Sequence, residues 1–176
     1  MSSSDEAYRE VSAIGDRLVT LSITSSEAFW TASREEQLLY GLCCILHHAG
    51  ANGLTAVLEY DETNGIAVLA AAIAGLAETG DTVFLPLAQE YWEIKMEPAR
   101  AAGVYVPLIF SAADRSAFHG LTVFFRDFGY DPDAPYEREL DRIGEMFVSC
   151  WDSDLPVHVL DWTRRNRQGF SKLLTV

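Results

Sequence analysis

Cys43-Cys44-Ile45-Leu46-His47-His48 is the part of this sequence where nucleophilic and metal-ligating side chains recur at a useful interval. Thiolate and imidazole are favoured ligands of zinc and copper. On a helix Cys43 shares a face with His47, and Cys44 with His48, each pair at i, i+4. The two pairs point about 100° apart, so they cannot share one ion. A closed zinc site would have to recruit Cys150, His119 or His158. The same residues could act as nucleophile and base, but no third orienting group is legible, and a cysteine on an apolar helix is usually inert. The plainer interpretation is two small buried cysteines beside a helix-end histidine pair, with no metal, no cofactor and no catalytic residue.

Other chemistry has still less to stand on. The chain has no phosphate loop, no dinucleotide fingerprint, no Gly-x-Ser-x-Gly and no His-Glu-x-x-His. Paired carboxylates such as Glu35-Glu36 and Asp61-Glu62 could do acid–base work, yet in so acidic a chain they are more often a solvated face. The 176 residues carry a net charge of −13, with 26 carboxylates against 13 Lys and Arg. The imbalance is uneven. Residues 1–163 hold all 26 carboxylates and 9 cations, a balance of −17, whereas residues 164–176 hold Arg164, Arg165, Arg167, Lys172 and no acid. Such a body repels nucleic acid and anionic membranes and attracts basic partners. The basic tail could fold back onto it, cap a helix or reach a second subunit.

The carboxylates fall into series. Glu59, Asp61 and Glu62 come first, then Glu78 and Asp81, then Glu90, Glu93 and Glu97 at i, i+3 and i+7 on one helix face. These eight are the candidate partner-binding residues, and few cations lie near them in sequence. A second series runs through Asp127, Asp131, Asp133, Glu137, Glu139 and Asp141. Unpaired carboxylates on rigid helices can imitate the phosphates of a duplex and offer a basic DNA-binding surface the charge it seeks.

The elements that must hold these groups read as helices, about seven in all. Ala7, Val11, Ile14 and Leu18 mark the first, over 5–21. SITSSEAFW is a connection or short helix. Ser33-x-x-Glu36 is a capping box opening a strong helix that Gly50 stops. Asn52 starts a short helical element, and Asn64 can cap the Ala-rich, mostly buried helix after it. Gly80 ends that helix and Asp81 caps the next, from about Thr82 to Ala102, with Pro86 and Pro98 as possible kinks. Residues 104–110, VYVPLIF, are the best strand candidate despite Pro107, residues 121–128 could be either type, and a minor strand pair is the most that these allow. GYDPDAP at 129–135 is a loop, and helices over 136–151 and from Asp154 to about Asn166 follow. The expectation is one all-α domain over residues 1–176, with residues 1–4 disordered and 164–176 a basic tail. No run approaches a membrane span or a signal sequence. Three cysteines, two of them adjacent, argue against a disulfide framework and for a reducing cytoplasm.

The segment LLYGLCCILHHAGANGLTAVLEYDETNGIAVLAAAIAGLAETGDTVFLPLAQEYW resembles the core of a bacterial family of domains of unknown function whose described member is a DNA mimic. That family shows a helix, Asn-Gly-Gly before an aromatic-rich short element, a second Asn and Gly, then an Ala-Leu helix and another helix. Asn52-Gly53 matches the first pair and Asn64-Gly65 sits near the second. The stretch YERELDRIGEMFVSCWDSDLPVHVLDWTRRNRQGF is similar to the family's closing helices, so the likeness covers roughly residues 30–170. Leu54 replaces the second Gly, Thr55 to Leu58 replace the aromatics, and the insertion from His119 to Pro135 has no counterpart. The resemblance implies an all-helical fold, a homodimer, and occupation of the DNA-binding face of a transcription regulator. The expected function is therefore a non-enzymatic, DNA-mimic-like acidic protein that binds a basic partner. The alternatives are an immunity or inhibitor protein against a basic nuclease or toxin, and a small metal-binding or cysteine-dependent enzyme. Gly53 is expected to turn the chain sharply or to let two helices approach.

Overall fold

A computed structural model describes residues 3–50, 53–129, 134–150, 154–170 and 173 of the chain. Among them it holds nine α-helices and no strand, in a single all-α domain. The helices are α1 (Ser3–Leu21), α2 (Ser26–Thr31), α3 (Arg34–Cys44), α4 (Thr55–Tyr60), α5 (Gly65–Thr79), α6 (Phe84–Ala101), α7 (Arg115–Phe128), α8 (Pro135–Ser149) and α9 (Leu155–Arg165). A π-helical turn, Ile45–Ala49, extends α3. No described helix is long and apolar enough to cross a membrane.

The core is organised on α3 and α5. Both are apolar around most of their circumference, so both must be covered on most sides. They pack on each other, with Gly41 of α3 against the backbone of Ala72 and Gly75 of α5 against Leu42. The remaining elements cover them. α1 lies against α3 and α9, α4 against α5 and the π turn, α7 against α5, and α6 bridges α5 to α8.

Local rules hold where they concern one turn of chain. The four apolar positions of α1 are all buried. Ser33 Oγ accepts from the Glu36 amide (3.2 Å), and Glu36 Oε2 accepts from the Ser33 amide (3.0 Å), which completes the capping box. Gly80 ends α5 at φ 76°.

Several expectations are corrected. Nine helices stand against about seven expected, because the stretch open as connection or short helix holds the complete helix α2 and 121–128 belongs to α7; the short element expected after Asn52 is α4. Residues 104–110 form no strand and bend at Leu108 and Ile109. Ser3 and Ser4 are helical rather than disordered, while residues 1 and 2, Asn52 and most of the loop at 129–135 lie outside the described residues. Gly50 does not stop the helix, since its φ is −63°. The reversal comes at Gly53, whose φ of 68° suits glycine, and a Cβ there would sit 3.0 Å from Gly144 Cα of α8. Gly53 thus both turns the chain and admits a neighbouring helix.

Candidate functional site

The eight candidate carboxylates divide into three groups once folded. Two of them are structural caps. Asp61 Oδ1 accepts from the amides of Thr63 (3.0 Å) and Asn64 (2.9 Å). This displaces Asn64 from its expected capping role. The Asn64 side chain instead bridges to α2, accepting from Trp30 Nε1 and donating to the Ser26 carbonyl, both at 2.8 Å. Asp81 is only 2% exposed and its Oδ1 accepts from the amides of Val83, Phe84 and Leu85. Its other oxygen lies 3.3 Å from His158 Nδ1 on α9. Asp81, turned inward to satisfy orphan helix amides, cannot meet a partner, and the half-exposed Asp61 has one oxygen committed to the turn before α5.

Three more are paired within the chain. Arg34 reaches Glu78, Arg142 reaches Glu90 (3.0 Å) and Arg100 reaches Glu93 (2.7 Å). Trp162 Nε1 also donates to Glu78 (3.3 Å). The apparent shortage of cations holds along the sequence and fails in space for these three, because Arg34 and Arg142 arrive from other helices. Glu90, Glu93 and Glu97 do share an exposed face of α6, but it is interleaved with guanidinium groups.

Glu59, Glu62 and Glu97 remain exposed, and among the described residues none has an ion-pair partner. Tertiary packing adds two acids that were not among the eight, Asp141 and Glu145, exposed at i, i+4 on α8. The hydroxyl of Tyr91 on α6 shows how they converge. Burial pushes its pKa up against the opposing Thr55 hydrogen bond, and the charges of Glu137, Asp141 and Glu59 push the same way as burial, so α4 and α8 bring carboxylates toward the middle of α6. Glu137, by contrast, is buried and meets Lys95 at 3.7 Å. Asp141 stood in the second acidic series and Glu145 could have been read from the helical spacing of α8, but the approach of Asp141 and Glu59 to one tyrosine could not.

The expected basic tail does not begin at 164, since Arg164 and Arg165 close α9; from there Arg164 pairs with Glu10 of α1 (2.9 Å).

The Cys-His stretch fans out as its spacing predicts. Cys43 lies against Gly15 of α1, where an added Cβ would be 3.0 Å from its Sγ. His47 Nε2 lies 3.1 Å from Ser12 Oγ. Cys44 sits beside Tyr40, and His48 stacks on Tyr60 with ring centroids 4.1 Å apart. Burial holds the His48 imidazole toward its neutral form, helped by His47. No cluster of three or more metal-ligating residues occurs among the described residues. Burial pushes the Cys43 thiol up to about 12, aided by Asp16, and pushes Cys44 up as well. A thiol in that state is a poor nucleophile and a poor ligand.

This yields a test. At pH 8 an excess of a thiol reagent should label Cys150 alone in the folded chain, and all three cysteines once it is denatured. Rapid labelling of Cys43 or Cys44 would contradict their burial. The linkage has a definite sign. A thiol whose folded pKa is raised keeps the proton that the unfolded chain releases. Its contribution to stability is complete below the unfolded value of about 8.5 and is lost as pH rises from there toward 12. Thermal melts from pH 8 to 11 should therefore fall progressively, and Cys43→Ala should flatten part of that fall.

Comparison with known protein families, curated proteins and solved structures returns no match, so the reading of this surface rests on its own residues.

Proposed function

We propose that this chain is a non-enzymatic acidic interaction protein that engages a basic protein partner, a DNA-binding regulator in the DNA-mimic manner. The observation that carries the reading is the set of exposed carboxylates that, among the described residues, have no ion-pair partner around α4, α6 and α8: Glu59, Glu62, Glu97, Asp141 and Glu145. All but Glu62, which sits in the turn between α4 and α5, stand on helices, so a partner meets charges already held apart at fixed spacing. The net charge of −13 adds long-range attraction for a basic surface. The same proposal includes a homodimer in a reducing cytoplasm, for which the three unbridged cysteines speak.

The test is capture on the immobilised chain, eluted in salt steps, with a Glu59→Lys, Glu62→Lys, Glu97→Lys variant beside it. Affinity should fall steeply between 0.1 and 1 M salt, as the screening length drops from about 10 to about 3 Å. The triple variant should lose the partner while keeping its helical circular dichroism. A basic nuclease or toxin on the column would favour the immunity alternative. Undiminished capture by the triple variant would remove this surface from consideration.

A further inference from the structure

Two stretches without any charge, residues 63–77 and 101–113, meet on one face of the molecule. In α5 the apolar residues run all round the helix, a pattern that demands cover on every side. Cover is incomplete. Ile73 and Ala74 are half-buried and Ala77 is exposed, along a cleft of about 410 Å³ whose other walls include Trp92 of α6. One wall of the cleft is the segment 104–110, which bends at Leu108 and Ile109. Val106 and Phe110 turn into the core, while Tyr105, Leu108 and Ile109 stand 66%, 93% and 78% exposed. Among the described residues no backbone amide from Tyr105 to Phe110 donates to another backbone carbonyl.

We infer that this face is where a second copy docks, with Leu108 and Ile109 of each chain seated over the Ile73–Ala74–Trp92 cleft of the other. A two-fold interface must be self-complementary, and this patch carries both the ridge and the cleft. Charge selects the occupant. A basic partner finds no free carboxylate here, since Glu93 at the rim is held by Arg100 at 2.7 Å. Two chains of −13 repel each other least across a face that carries no net charge. Contiguous exposed apolar side chains of this kind are otherwise a liability in a free monomer.

The inference rests on the homodimer part of the proposed function and is independent of the acidic-surface part. The experiment is sedimentation equilibrium of the full chain from about 1 to about 100 μM, a range that spans a modest dimer. It uses the wild type, Leu108→Asp with Ile109→Asp, and Ala77→Lys from the opposite wall. The wild type should reach twice the 19.5 kDa of one chain. Both variants should show a two-fold lower mass at the same concentration, with unchanged circular dichroism, because every substituted side chain is exposed. Salt should leave the dimer intact or tighten it by screening like charges, opposite in sign to its effect on a basic partner. A wild type of single-chain mass across the range overturns the inference, as does a dimer that survives both variants.

Discussion

Valine at position 41 is expected to abolish cooperative folding. Gly41 lies where α3 crosses α5, and a Cβ there would fall 2.5 Å from the Ala72 nitrogen, 2.8 Å from its Cα and 2.9 Å from the Val68 carbonyl oxygen. All three are backbone atoms, so no side chain can swing aside, and the two helices at the centre of the core would have to separate. Overpacking that side chains can absorb costs about 1–3 kcal/mol. A clash with helix backbone should exceed about 3 kcal/mol, a large share of the roughly 5–15 kcal/mol that holds a domain together. At about 2–4 °C per kcal/mol for a chain of this size, the melting temperature should drop by roughly 10 °C or the transition should vanish. Gly120→Ala is the control. That glycine is exposed on α7 with nothing within 4 Å of its would-be Cβ, so alanine should be neutral or should stabilise by about 0.5–1 kcal/mol. A Gly41→Val protein melting like the wild type would mean that α3 and α5 do not cross as described.

Asp81→Ala carries the second large effect. One carboxylate oxygen accepts from three consecutive amides at the start of α6, and the other faces His158 on α9. Loss of a cap ordinarily costs about 1 kcal/mol, at most about 2. Here the Phe84 amide is also buried, and leaving such a donor unsatisfied adds about 1–3 kcal/mol. Alanine should therefore cost about 3 kcal/mol in a denaturant titration. An asparagine side chain would retain an acceptor oxygen at the same place, so Asp81→Asn should recover most of that loss. Equal damage from alanine and asparagine would assign the effect to the His158 contact instead. The result bears on function as well. A charge reversal at Asp81 would weaken partner binding by unfolding α6, which is why the binding test above uses Glu59, Glu62 and Glu97.

The contrast between Asp81 and Glu97 shows how far the sequence could be read. Both stand as carboxylates in the same series, and helical spacing alone cannot separate a cap from a free surface charge. The capping signal at Asp81 was legible, yet its near-complete burial was not, because the side chains that exclude water from it come from other helices. The π turn at Ile45–Ala49 left no trace in the pattern, and residues 104–110 carried strand-forming side chains with no strand to pair with among the described residues. A strand needs a neighbour, and β-propensity is silent about whether one exists. Helix α2, six residues long, was too short for periodicity to separate it from a connection.

Net charge, the capping box at Ser33, the left-handed Gly80 and the apolar stripes of α1, α3, α5, α6, α8 and α9 could all be read along the chain. Each depends on residues within a turn or two of one another, where bond geometry sets the distances. The fate of the carboxylates could not be read this way. Arg34 lies 44 residues from Glu78, and Arg142 lies 52 from Glu90. Ion pairing falls off within a few ångströms, and separations on that scale between residues so far apart exist only once the helices have packed. Packing therefore left Glu59, Glu62 and Glu97 without a cation among the described residues, tied Glu78, Glu90 and Glu93 to arginines, turned Asp61 and Asp81 into caps, and left Leu108 and Ile109 facing outward.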